Sequence, residues 1–241
     1  MANASPQFLT TLWNEVLLAG REPDSAAGRE ALARLCENYW YPVYAYIRRR
    51  GPPPADAQDL TQAFFAHILA SGFFARADPA IGRFRNFLLG ALRNFLATDH
   101  AKKNSQRSGG RHEKIPIDAN LAEFWLSAEA SPENDPTRAF DRSWANALIA
   151  QAVAALEREH TEAGRPAVFA ALKEFLQRTA GPGEYDSVSR DLGMTKGAIA
   201  AAVHRMNRRF GELVRQAVRE TVASPDLADE ELKFLFSVLR G

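Results

Sequence analysis

Tyr185 to Phe210, YDSVSRDLGMTKGAIAAAVHRMNRRF, contains the sharpest local pattern in the chain. A short helical stretch from Ser187 to Leu192 meets a turn at Gly193, and a longer helix opens at Thr195 as its N-cap. Ile199, Val203 and Met206 share an apolar face, while Lys196, His204, Arg205, Arg208 and Arg209 lie on the other faces. This is the layout of a helix-turn-helix, whose second helix can enter a major groove. The same pattern also describes a helical hairpin with a solvated basic face. Ala200, Ala201 and Ala202 stand where base edges would be met and can offer only methyl contacts. The cations around them suit phosphates, which position a helix without reading sequence.

Working outward, helical signals continue in both directions and no alternating apolar run argues for a strand, so an all-α fold is expected. Ala31, Leu32, Leu35, Tyr39, Pro42, Val43, Tyr46 and Ile47 recur at helical spacing between Ser25 and Arg50, and Gly51-Pro52-Pro53-Pro54 stops that helix. A second helix follows Asp56, with Leu60, Phe64, Phe65, Ile68 and Leu69 on its apolar face. A loop is expected over 76–83, and a third helix over about Phe84 to Lys103, striped by Phe84, Phe87, Leu88, Ala91, Leu92, Phe95 and Leu96. Phe87 and Phe95 are expected in the core. Helical pattern resumes near Phe140, and Pro225 precedes a last amphipathic helix over Ala228 to Leu239.

Periodicity fails between Asn104 and Pro136, where charge changes sign from Lys102, Lys103, Arg107, Arg111 and Lys114 to Asp118, Glu123, Glu129, Glu133 and Asp135. Such a segment reads as a linker, so the expectation is two small helical domains joined by an acidic flexible linker, the second carrying the helix-turn-helix. A net charge of +1 excludes a uniformly basic or acidic protein and shifts attention to local charge. The lone Cys36 cannot form an intrachain disulfide, no apolar run reaches the roughly 20 residues of a membrane span, and Met1 to Pro6 has no signal-peptide character. A cytoplasmic, nucleoid-associated protein without metal or cofactor is expected.

Two further constellations bear on function. Arg83, Arg85, Arg93, Lys102 and Lys103 outnumber the acids around them and alternate with phenylalanines, a composition suited to holding a phosphate backbone and stacking bases. Exposed polar groups of the loop, together with Asn94, are the better candidates for reading a base. Asp56-Ala57-Gln58-Asp59-Leu60-Thr61-Gln62 places two acids at a helix start, where Asp56 could also serve simply as a cap.

Taken in order, these blocks resemble bacterial RNA polymerase sigma factors of the extracytoplasmic-function type, within the sigma-seventy superfamily. Tyr39-Trp40-Tyr41-Pro42-Val43-Tyr44-Ala45-Tyr46-Ile47-Arg48-Arg49 is similar to the opening helix of that family's first domain. Asp56 to Phe65 resembles the acidic helix that docks on the clamp coiled coil of the polymerase β′ subunit, which implies Asp56, Asp59, Leu60, Gln62 and Phe64 as polymerase contacts. Gly82 to Leu96 is similar to the loop and helix that capture the minus-ten promoter element, implying Arg83, Arg85, Asn86, Arg93, Asn94, Lys102 and Lys103. Asp186 to Phe210 resembles the helix-turn-helix that reads the minus-thirty-five element, implying Thr195, Lys196, His204, Arg205, Arg208 and Arg209.

The resemblance implies a first domain over 25–106, a linker over 107–137 and a helix-turn-helix domain over 138–222, and the chain departs from a minimal member by an N-terminal extension over 1–24 and a C-terminal extension over 223–241. It implies the polymerase core as partner, through the β′ coiled coil and the β flap, together with promoter DNA. A base would be taken out of the stack at a cost of a few kcal/mol, and the covalent chemistry would belong to the polymerase. Control would fall to an anti-sigma factor, a regulatory kinase acting at a site such as Thr61, or the chain's own extensions, which Trp13 and Phe236 are expected to pin down. The rival readings are a polymerase-independent helix-turn-helix regulator and a structural adaptor. An enzyme is a weaker rival, because His67, His100, His112, His160 and His204 show no metal spacing and no phosphate loop or nucleophile elbow occurs.

Overall fold

The computed structural model describes residues 13–78, 82–103, 123, 126, 135–176, 178–222 and 225–240. Among them the chain is all helical: α1 (Trp13–Arg21), α2 (Ala26–Arg48), α3 (Pro54–Ala70), α4 (Phe84–Lys103), α5 (Pro136–Glu162), α6 (Pro166–Leu172), α7 (Glu184–Leu192), α8 (Lys196–Glu220) and α9 (Pro225–Arg240). Short 3₁₀ turns occupy Phe74–Arg76 and Lys173–Phe175. No helix among the described residues is long and apolar enough to cross a membrane.

Local chemistry accounts for the helix ends. Ser25 caps α2 by accepting from the Gly28 amide, Asp135 caps α5 through Thr137, and Thr195 caps α8 through Ala198. Gly193, at φ +62°, ends α7 in the left-handed conformation that lets the chain turn into α8 within three residues. Pro54, Pro136 and Pro166 open their helices, where a missing amide hydrogen costs nothing.

Two apolar cores form. The first gathers Val16 and Ala19 of α1, Leu35, Tyr39, Tyr44 and Ile47 of α2, Phe64, Phe65 and Ile68 of α3, and Phe84, Leu88 and Leu92 of α4. The second joins Leu156 of α5 to Phe169, Leu172, Phe175, Val188, Ile199, Val203 and Met206. The expected division at 107–137 does not divide the cores, because Phe140, Trp144, Ala145 and Leu148 of α5, Val218 of α8 and Leu235 of α9 all enter the first one. Helix α5 has 27 residues, about 40 Å at 1.5 Å per residue, so its N-terminal half serves one core and its C-terminal half the other. Cys36 is buried in the first core, where desolvation pushes its thiol up to about 12.

The C-terminal extension is held by residues other than the one expected. The side chain of Trp13 lies outside the described residues, and Val16 and Ala19 anchor α1. Phe236 is 43% exposed, while its neighbour Leu235 is fully buried and Phe234 packs against Trp144. One position of the α9 face separates the two outcomes.

Candidate nucleic-acid interface

Helix α4 presents two faces of opposite character. On one, Asn86, Phe87, Gly90, Ala91, Asn94, Phe95 and Thr98 oppose His67, Ile68 and Ser71 of α3 and its C-terminal cap, with Phe73 and Arg76 closing the end. The cleft between them has a volume of about 650 Å³, within the usual range for a small organic ligand. Its walls are aromatic: Phe73 stacks on Phe87 with centroids 4.4 Å apart, and His67 lies 5.5 Å from Phe95. Phe87 and Phe95, expected in the core, are half-buried and line this cleft. Asn86 and Asn94 are exposed at its edge.

Away from the cleft stand the arginines, Arg83 just before α4 and Arg85 and Arg93 within it, and all three turn toward the C-terminal half. Arg85 is 5% exposed; its Nε donates to Glu231 Oε1 of α9 at 2.7 Å and its Nη1 to Asp141 Oδ1 of α5 at 2.8 Å. Its guanidinium lies 4.0 Å from the Phe234 ring centroid and 4.9 Å from that of Trp144. Arg83 reaches Glu231 Oε2 through Nε at 2.5 Å and Glu230 Oε2 through Nη2 at 3.3 Å. Arg93 Nη2 donates to Thr137 Oγ1 at 2.8 Å. The expectation of Arg85 on an open DNA-facing surface is therefore corrected: a guanidinium between two rings and two carboxylates has no solvent side left. Lys102 and Lys103 end α4, but their side chains lie outside the described residues, as do residues 79–81 of the expected loop.

The acidic start of α3 is presented as expected, with Asp56 and Asp59 exposed and Leu60 and Gln62 half-buried. Pro53, rather than Asp56, holds the cap position, and Asp56 sits in the first turn, where a carboxylate complements the helix dipole. Phe64 corrects the predicted contact set. It is 0% exposed and meets Phe65 and Phe95 edge-on at 5.6 Å, so it supports α3 from within. Thr61 is likewise fully buried, its hydroxyl donating to the Ala57 carbonyl at 2.7 Å, which removes it as an accessible phosphorylation site.

Along α8, Lys196, His204, Arg205, Arg208 and Arg209 are all exposed. Three carry acidic neighbours: Lys196 Nζ lies 2.7 Å from Asp186, Arg208 Nε 3.8 Å from Glu212, and Arg209 grips Glu159 through Nε and Nη2. The Arg209 guanidinium holds the Glu159 carboxyl below its ordinary range. Thr195 is spent on the cap of its own helix. Ala200 and Ala201 are exposed on the same helix.

Sequence reasoning missed the partners of these cations. Asp141, Glu230 and Glu231 were unremarkable acids on helical faces, and only the adjacent pair Glu230-Glu231 facing an Arg-x-Arg sequence hinted at complementarity. It also missed the anchoring of the acidic linker at one point. Arg48 forks onto Glu123 with Nε at 2.6 Å and Nη2 at 2.9 Å, and the Tyr44 hydroxyl donates to the same carboxylate at 2.6 Å. The Arg48 and Tyr44 hydrogen bonds draw Glu123 below the usual carboxylate range against its partial burial, and burial beside that carboxylate drives the Tyr44 phenol upward. No group of His, Cys, Asp and Glu among the described residues has the makings of a metal site. No family of known proteins, no curated protein and no solved structure matches the chain.

Proposed function

We infer that the chain is a sigma factor, which binds core RNA polymerase and directs it to promoters carrying minus-ten and minus-thirty-five elements. The observation that carries this reading is the aromatic cleft between α3 and α4, edged by Asn86 and Asn94. A base extruded from a duplex needs ring faces to replace the lost stacking and amide groups to meet its hydrogen-bonding edge, and this cleft offers both. The exposed carboxylates of Asp56 and Asp59 lie at the N-terminal end of α3, away from the cleft at its C-terminal end, and suit a basic coiled coil on the polymerase. Helix α8, opened by a three-residue turn and carrying an exposed row of cations, suits the upstream element, with its arginines and Lys196 on phosphates and its alanines allowing close approach.

A polymerase-independent DNA-binding regulator is the second reading. The engagement of Arg83 and Arg85 by the C-terminal half favours it, because α8 carries its row of cations exposed while these two arginines are held by carboxylates. Run-off transcription with core bacterial polymerase on a genomic fragment library separates the two. Discrete start sites are expected with the wild-type chain and none with Asp56→Arg/Asp59→Arg. Specific DNA binding by the protein alone, with no initiation on adding core enzyme, overturns the sigma reading.

A further inference from the structure

We propose that α9 is an internal competitor for DNA, an acidic helix whose Glu230 and Glu231 occupy the guanidinium groups that a phosphate backbone would otherwise take. The proposal rests on the sigma reading for the identity of the competing polyanion. Its own basis is the contact between α4 and α9. A carboxylate and a phosphate make the same demand on an arginine fork, namely oxygens in the plane of its N–H donors. Glu231 meets that demand on Arg85, with Oε1 accepting from Nε and Oε2 from Nη2; it pairs with Arg83 through charge and proximity alone, while Glu230 accepts from Arg83 Nη2.

Position strengthens the argument. Arg83 and Arg85 flank Phe84 at the start of α4, so the helix that lines the cleft begins at the residues α9 holds. The hold is graded from inside to outside. Glu231 is 1% exposed, whereas Glu230 is 68% exposed at the rim, where an incoming phosphate could first displace it. The attachment of α9 through Leu235 and Ala228 is apolar and insensitive to salt, but the part facing Arg83 is ionic and open to exchange. DNA loading then has an order: Glu230 yields, Arg83 turns to a phosphate, and Glu231 follows with α9.

The test uses the full-length chain and a fluorescent mixed-sequence 20-nucleotide single strand, followed by anisotropy over a range of salt. Glu230→Gln/Glu231→Gln is expected to bind on the order of tenfold more tightly, with a salt slope steeper by about 0.7 for the one phosphate contact that Arg83 gains while Asp141 still holds Arg85. Asp226→Asn/Asp229→Asn removes the same formal charge from exposed positions of α9 and is expected to stay within about twofold of wild type. Equal tightening by both pairs reduces the effect to net charge and overturns the proposal, as does no tightening by the Glu230/Glu231 pair. Should that pair fail to fold, Glu230→Gln alone carries the same comparison at an exposed site. Hydrogen exchange on the wild-type chain provides a second readout, in which faster exchange over 228–239 at saturating oligonucleotide is expected and unchanged protection overturns the proposal. Failure of run-off transcription with these results intact removes the sigma reading and leaves the competitor standing.

Discussion

Replacing Arg85 by methionine tests the central ionic cluster most directly. The side chain gives up its bonds to Glu231 at 2.7 Å and 3.3 Å and to Asp141 at 2.8 Å, while methionine keeps much of the apolar packing against Phe234 and Trp144. Arg83 remains on Glu231, so Asp141 loses its guanidinium outright and Glu231 loses one of two. Breaking a buried pair from one side costs about 3–5 kcal/mol. For a chain of this length each kcal/mol moves the midpoint by about 2–4 °C, so Tm is expected to fall by about 6–20 °C.

The cluster also leaves a pH signature. Burial, opposed by Arg85 and reinforced by Glu231, holds the Asp141 carboxyl above its ordinary value. A carboxyl raised in the folded state binds its proton more tightly there than in the unfolded chain. Its contribution is full below the unfolded pKa and is lost as pH rises through the folded one. Removing Arg85 raises that folded value further, so the deficit of Arg85→Met is largest near neutrality and shrinks as the solution is acidified toward the carboxylate range. Urea denaturation of both proteins at about pH 7 and about pH 5 reads the two effects together. A deficit under about 1 kcal/mol, or one equal at both pH values, refutes the reasoning.

Glu123→Gln is expected to lower stability by about 1 kcal/mol at neutral pH, since the lost contacts to Arg48 and Tyr44 are only partly shielded from solvent. Because the Glu123 carboxyl is depressed in the folded chain, its contribution is present above the unfolded pKa and lost as pH falls through the folded one; denaturation midpoints of the two proteins should converge in acid. Gly20→Ala is expected to cost about 1–3 kcal/mol, because a Cβ on α1 would stand 2.6 Å from the Phe74 carbonyl oxygen, a backbone atom that cannot move without disturbing the 3₁₀ turn. Thermal unfolding by circular dichroism reads the loss, and a Tm within about 1 °C of wild type contradicts the close approach.

Helix positions were legible in the sequence wherever punctuation was chemical. Ser25, Gly193, Thr195 and the proline run at Pro52 to Pro54 mark boundaries through capping and backbone geometry that act within a few residues. The apolar stripes likewise identified most of the first core. What stayed hidden were relations between distant segments. Arg85 and Glu231 are 146 positions apart, and nothing local to an Arg-x-Arg sequence says whether it faces solvent or a carboxylate. Phe64 and Thr61 show a related limit, since a helix shared between a partner-facing rim and a core face can be misassigned by a single position. The half-buried Phe87 and Phe95 show it in the other direction: residues of core type border a cleft that only the pairing of α3 with α4 creates.

The entry of Leu235 into the first core bears on how the protein is made. Tyr44, Phe64 and Phe84 are translated long before the helix that completes their shell, and the 146 residues separating Glu231 from Arg85 take roughly 7–30 s to synthesise. Through that interval Arg85 has at most Asp141 of its two carboxylate partners, and the nascent N-terminal half carries an open apolar seam, a surface that ribosome-associated chaperones would meet before α9 emerges.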